Sequence, residues 1–91
     1  MKYRHLGKQG LRVSELALGS WMTDVSADDK QDLAAQSIQL AYEKGINFFD
    51  CADAYSGGAA ERFLGKTLAQ FPRKELVLSS KVFFPTGAGV N

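Results

Sequence analysis

The sequence holds one cysteine, Cys51, and one histidine, His5. A single thiol excludes an internal disulfide and a cysteine-rich zinc site. Long apolar runs are also missing: no stretch approaches the ~18 residues needed to span a bilayer. The opening MKYRHLGKQG lacks the apolar centre of a secretory signal, so the expected compartment is the cytoplasm. Charge of one sign is not in excess, because 11 Lys and Arg face 10 Asp and Glu, and the net charge is +1. The basic residues are scattered rather than gathered in a stripe, so neither nucleic acid nor an anionic membrane is an expected partner. What remains is a globular composition, 45% apolar over 91 residues, enough for one small domain. Within it, Cys51 reads as a small buried side chain and His5 as surface or floor packing.

Turn residues divide the chain. Tyr3 to Leu6 and Leu11 to Ser14 flank Gly7-Lys-Gln-Gly10 and read as a hairpin. ELALGS, Glu15 to Ser20, is a short apolar strand ending on glycine. Ser26 followed by Asp29 predicts a helix start, with Leu33, Ala34, Ser37, Ile38, Ala41 and Tyr42 as the buried stripe and Gly45 as the stop. Ile46 to Cys51 is nearly all apolar, the pattern of a strand covered on both faces. Ser56-Gly-Gly58 is a loop, and Ala60, Phe63, Leu64, Thr67, Leu68 and Phe71 fall at helical spacing until Pro72. ELVLSSK, Glu75 to Lys81, is a third strand, and Pro85-Thr-Gly-Ala-Gly is a loop or loose end.

The strand centres near Leu18, Phe49 and Leu78 are about thirty residues apart, each pair bridged by one amphipathic helix, which predicts β-α-β-α-β with right-handed crossovers. The fold class is therefore α/β with a parallel sheet. Two helices can shield only one face of three strands, so the pattern reads as unfinished. Eight such units would need ~250 residues, the usual length of a closed (β/α)8 barrel.

Parallel α/β folds collect ligands at the carboxyl ends of their strands. Here those ends present Gly19-Ser20-Trp21, then Asp50 with Tyr55 in the loop beyond, then Lys81. A free tyrosine, with a pKa of about 10, is a poor proton donor to a carbonyl at neutral pH. A neighbouring ammonium favours the phenolate, and a carboxylate paired with the lysine keeps it charged and oriented. Asp50, Lys81 and Tyr55 together are thus a candidate tuned acid, of the kind needed when hydride reaches a carbonyl carbon and the oxygen takes a proton. Asp53 reads as a loop acid that caps or solvates the turn. Gly57-Gly58 fits neither G-x-G-x-x-G nor the P-loop and is no phosphate cradle.

FFDCADAY, followed by GGAAERFLGKTL and later LSSKV, resembles the signature of the aldo-keto reductase superfamily, and GLRVSELALGSW resembles its first strand. The branch it is most similar to contains bacterial aldo-keto reductases and the beta subunits of voltage-gated potassium channels. The likeness runs from about Tyr3 to Lys81, and it implies the N-terminal portion of a (β/α)8 TIM barrel whose floor is closed by the opening hairpin. It further implies that residues 1–91 are part of an NADP-dependent oxidoreductase domain. Tyr55 would be the general acid/base, tuned by Lys81 and Asp50. NADPH would be the cofactor, with Ser20 and Trp21 at the nicotinamide, Asp50 at its ribose and Gly19 allowing close backbone approach. The substrate would be a small-molecule carbonyl compound, an aldehyde or ketone, and no metal would be needed. The resemblance also leaves open a cofactor-binding regulatory subunit of the channel type, or a truncated reading frame that cannot assemble the site. Two family features are absent: the His or Asn at the end of the fourth strand, and the later loops that grip the pyrophosphate and 2′-phosphate. The turn Met22-Thr-Asp-Val-Ser26 is polar and short where relatives carry a glycine-rich stretch with a cofactor-touching glutamine.

Overall fold

A computed structural model describes residues 1–21, 25–85 and 87–89. Most of the turn after Trp21 and part of the Pro85–Gly89 loop lie outside the described residues. Among the described residues five strands and two α-helices follow one another: β1 (Tyr3–His5), β2 (Arg12–Ser14), β3 (Ala17–Gly19), α1 (Asp28–Glu43), β4 (Phe48–Asp50), α2 (Ala59–Leu68) and β5 (Val77–Ser79). β1 and β2 form the antiparallel hairpin. The other three strands form a parallel sheet in the order β3-β4-β5, and Leu18, Phe49 and Leu78 lie in register. Among the described residues these strands close no barrel, as expected of the N-terminal portion of a (β/α)8 barrel.

The strands are shorter than their apolar runs. Asn47 and Cys51 still extend the ladder, because the Val77 N–H donates to the Asn47 carbonyl at 2.8 Å and the Cys51 N–H to that of Ser79 at 2.8 Å. Before β5, Arg73–Glu75 coils into a 3-10 turn, so Glu75 is not part of the extended strand expected from it onward. Helix α1 begins one residue later than expected: its capping position is Ala27, not Ser26, and no side chain caps it. Asp28 and Asp29 in the first turn offset that loss by facing the positive end of the helix dipole. Gln31 also reaches back, its Nε2 donating to the Val25 carbonyl at 2.9 Å.

Helix α1 stops where glycine permits it. The Ile46 N–H donates to the Ala41 carbonyl and the Gly45 N–H to that of Tyr42, the paired bonds of a Schellman motif, with Gly45 at φ 94°. A β-carbon on Gly45 would meet the Tyr3 hydroxyl at 2.8 Å, and that hydroxyl donates to the Gly45 carbonyl at 2.6 Å. The Gly45→Ala change therefore combines a left-handed penalty of about 1–2 kcal/mol with the loss of this hairpin tie. Thermal denaturation of the full-length protein should show a clear loss of stability, and an unchanged melting temperature would refute this account of the stop.

Phe49 is fully buried at the centre of a core that includes Ile38 and Ala41 of α1, Ala60, Leu64 and Leu68 of α2, and Leu76 before β5. Its burial contributes roughly 1.5–3 kcal/mol. Cys51 belongs to the same core, at 2% exposure, as its apolar setting led us to expect. Because strand side chains alternate, burying Phe49 under the helices turns Phe48 and Asp50 to the opposite face. The α1 stripe is only partly covered: Ile38 and Ala41 are buried, whereas Leu33 is 66% exposed and Ser37 is also exposed. Both line a groove between α1 and α2 instead. A radius of gyration of 14.1 Å exceeds the value of about 12 Å for a compact domain of this length, in keeping with three strands that enclose nothing.

The hairpin is fastened to the amino ends of the parallel strands. The Ser14 N–H donates to Asn47 Oδ1 at 2.7 Å, the Asn47 N–H donates to Ser14 Oγ at 3.2 Å, and Asn47 Nδ2 reaches the Arg12 carbonyl at 3.1 Å. His5 lies exposed on this hairpin. The carboxyl ends of β3, β4 and β5 are left open on the opposite rim.

Candidate functional site

Three chain segments meet at that rim. Asp50 is the last residue of β4, Tyr55 lies five residues on, and Lys81 follows β5 by two residues. Lys81 brings them together. Its Nζ donates to Asp50 Oδ2 at 2.6 Å, to the Cys51 carbonyl at 2.7 Å and to Tyr55 Oη at 3.1 Å. An ammonium carries three hydrogens and no acceptor, so all three are engaged. It follows that Tyr55 Oη accepts from Lys81, which leaves the phenolic hydrogen free to point at something else. The ammonium also lies 4.9 Å from the centre of the Tyr55 ring.

Backbone geometry aims the tyrosine. After Tyr55 the chain turns through Ser56, Gly57 and Gly58, with φ of 49°, 62° and 95°, and then enters α2. Three successive left-handed residues reverse the chain within one turn, and two glycines make most of that reversal free of steric cost. Asp53 contributes its backbone here, its N–H donating to the Lys81 carbonyl at 3.1 Å.

Burial pushes the Asp50 carboxyl up, but the hydrogen bonds from Lys81 and Ser79 and the lysine charge outweigh it, so Asp50 is held below the usual carboxylate value. The hydrogen bond to Asp50, followed by that to Tyr55, holds the Lys81 ammonium above the usual lysine value against the opposing effect of burial. A lowered carboxylate stabilises the fold above its unfolded pKa of about 4 and loses that contribution as pH falls through the folded value. A raised lysine stabilises below its unfolded pKa of about 10.4 and loses its contribution as pH rises through the folded value. The pair is therefore intact between these limits. Water screens it, since the side chains are 34% and 47% exposed. In the full-length protein, Asp50→Asn should carry a small stability deficit that is flat from about pH 5 to pH 9 and shrinks below about pH 4 and above about pH 10. Melting curves of both proteins across pH would test this, and a deficit that grows toward acid would contradict it.

The other candidates are dispersed. Gly19 is exposed, and a β-carbon there would meet no heavy atom within 4 Å, so its backbone is open to close approach. Trp21 is 71% exposed, which excludes it as core filler. Ser20 is 5% exposed and lines the groove between α1 and α2, while its N–H donates to the Asp50 carbonyl at 2.9 Å. That groove, about 340 Å³, contains none of Asp50, Tyr55 or Lys81. Asp50 and Tyr55 are half-buried and Lys81 is exposed.

Sequence reasoning missed three side chains. Ser79 Oγ donates to Asp50 Oδ1 at 2.5 Å, and Ser80 Oγ donates to Glu61 Oε1 of α2 at 2.5 Å. The signal for Ser79 was present, because aligning Phe49 with Leu78 places Ser79 opposite Asp50. Glu61 gave no comparable sign.

Known proteins resemble this chain in sequence and in fold. The sequence model of the Aldo/keto reductase family matches residues 15–91. An aldo-keto reductase from Bacillus halodurans, solved in its holo form, is similar at 38% identity and a TM-score of 0.76 over 97% of this chain and 28% of its own. A thermostable aldo-keto reductase in complex with the inhibitor epalrestat matches at 29% identity and a TM-score of 0.76, over 88% of this chain and 30% of its own. A Pseudomonas aeruginosa protein assigned to the same group is 41% identical, with a TM-score of 0.70 over 88% of this chain and 30% of its own. The chain thus spans under a third of the length of these solved relatives.

Proposed function

Since the chain belongs to the aldo/keto reductase family, we propose that it forms the first part of an NADPH-dependent reductase that converts aldehydes or ketones to alcohols, with residues 1–91 as part of the oxidoreductase domain. The observation that carries this reading is Lys81 Nζ held among Asp50 Oδ2, the Cys51 carbonyl and Tyr55 Oη.

When bound, the reduced nicotinamide supplies the hydride that adds to the carbonyl carbon. The exposed strand end at Gly19, open to close backbone approach, and the exposed indole of Trp21 fit a flat, aromatic cofactor head. Ser20, being buried, supports that end chiefly through its backbone. Asp50 is already engaged by two donors, so its part at the cofactor ribose is secondary to holding Lys81.

The phenolic hydrogen of Tyr55, left free by the direction of the Lys81 bond, donates to the substrate carbonyl oxygen. As negative charge grows on that oxygen, the O–H bond of Tyr55 breaks and the proton passes to it. The charge left on Oη then faces an ammonium 3.1 Å away. Asp50 keeps that ammonium charged throughout. No step in this proton transfer calls for a metal.

The test is an assay of the full-length protein that carries these residues, with its intact mass measured first. Oxidation of NADPH that depends on an added aldehyde would support the reading. Tight NADPH binding without turnover of any of a broad panel of carbonyls would favour a regulatory role, and a gene product of 9.9 kDa would leave the site without its barrel.

A further inference from the structure

Asp50 has two carboxylate oxygens, and each has its own donor. Oδ2 accepts from Lys81 at 2.6 Å and Oδ1 from Ser79 at 2.5 Å. The second bond follows from register, since Ser79 lies directly opposite Asp50 in the parallel pair of β4 and β5. A carboxylate held at one oxygen alone keeps broad freedom about its last torsion, and a lysine side chain has four more torsions of its own. Donors on both oxygens remove the first of these freedoms and so narrow the second. The neighbouring hydroxyl has a different task. Side chains alternate along a strand, so Ser80 is directed away from Ser79 and bonds Glu61 in the first turn of α2. That bond ties the segment just before Lys81 to the helix just after Tyr55.

We propose that Ser79 is a positioning residue for this site, its hydroxyl fixing the Asp50 carboxylate so that Lys81 is presented to Tyr55. The proposal rests on the reductase reading above. Burial opposes ionisation of Asp50, and Ser79 joins Lys81 in overcoming that opposition. Ser79 acts only through the Asp50–Lys81 pair, so removing it should cost little once Asp50→Asn has already broken that charged pair.

This gives a test that an ordinary packing role would not pass. In the full-length protein, Ser79→Ala, Ser79→Thr, Asp50→Asn and the double variant Asp50→Asn with Ser79→Ala are assayed beside Tyr55→Phe. Ser79→Ala should lower kcat by about tenfold, with the aldehyde KM and the dissociation constant for NADPH within about twofold of the parent. Ser79→Thr, which keeps the hydroxyl, should recover most of that loss. The double variant should be no slower than Asp50→Asn alone. Should Ser79→Ala lack a cooperative melting transition, Ser79→Cys, of similar size and with only a weak donor, takes its place in the cycle. Equal losses in the two backgrounds, or an unaltered kcat in Ser79→Ala, would overturn the proposal while an inactive Tyr55→Phe left the reductase reading standing. Full activity in Tyr55→Phe would overturn the reading itself and this proposal with it.

Discussion

Replacing Tyr55 by Phe is expected to lower kcat for aldehyde reduction by about 10²- to 10⁴-fold, the usual contribution of a positioned general acid. The change removes one oxygen and leaves the ring in place. Tyr55 is half-buried against the core, and among the described residues its phenolic oxygen is bonded only at the rim, to Lys81. The fold should therefore be unaffected, and NADPH should still bind, because in the proposed mechanism the tyrosine serves the carbonyl oxygen and not the dinucleotide. The loss should appear in kcat with little change in KM, as expected for an interaction made chiefly in the transition state. Steady-state rates at saturating aldehyde, followed by NADPH absorbance, would measure it. A variant within a few-fold of the parent would mean that another group delivers the proton.

Lys81→Met should be nearly as damaging, about 10²- to 10³-fold in kcat, the scale observed when one preorganised donor to a developing anion is removed. Methionine keeps a similar length but offers no hydrogen, so Asp50, the Cys51 carbonyl and Tyr55 all lose the partner that joins them. The Asp50 side chain is 34% exposed and keeps its bond from Ser79, so water can solvate the stranded carboxylate. The stability loss should stay within about 1 kcal/mol. A large drop in kcat beside a small shift in melting temperature is thus the signature to seek. Lys81→Arg should not rescue it, because a planar guanidinium cannot direct three bonds from one nitrogen to three acceptors around it. Comparable collapse of stability and rate in Lys81→Met would instead mark the lysine as structural.

These expectations draw on features of unequal legibility. Asp50, Tyr55 and Lys81 stood out because parallel α/β strands display residues at their carboxyl ends, and the apolar runs located those ends to within a residue or two. Ser79 stood in plain view between them, but a serine in a strand carries no chemical flag until the residue across the sheet is known. The expected cap at Ser26 lies one residue early: Ala27 holds the extended capping backbone, and Gln31 ties back to Val25 through its side chain, a bond that local spacing does not encode.

The sequence by itself determined the order β-α-β-α-β, the strand centres near Leu18, Phe49 and Leu78, and the stop of α1 at Gly45. Each of these rests on local chemistry: strand and helix periodicities set which face is apolar, and a left-handed residue favours glycine wherever the chain bends. Tertiary structure alone decided that Ser20 is buried while Trp21 stands in solvent, that Leu33 lines an open groove, and that one ammonium joins three acceptors. Asp50 and Lys81 are separated by 31 residues. Their 2.6 Å contact depends on the turn through Ser56 to Gly58, the packing of α2 and the rotamers at the rim acting together. Hydrogen bonds form or fail over a few tenths of an ångström, whereas periodicity places a residue only to the nearest face.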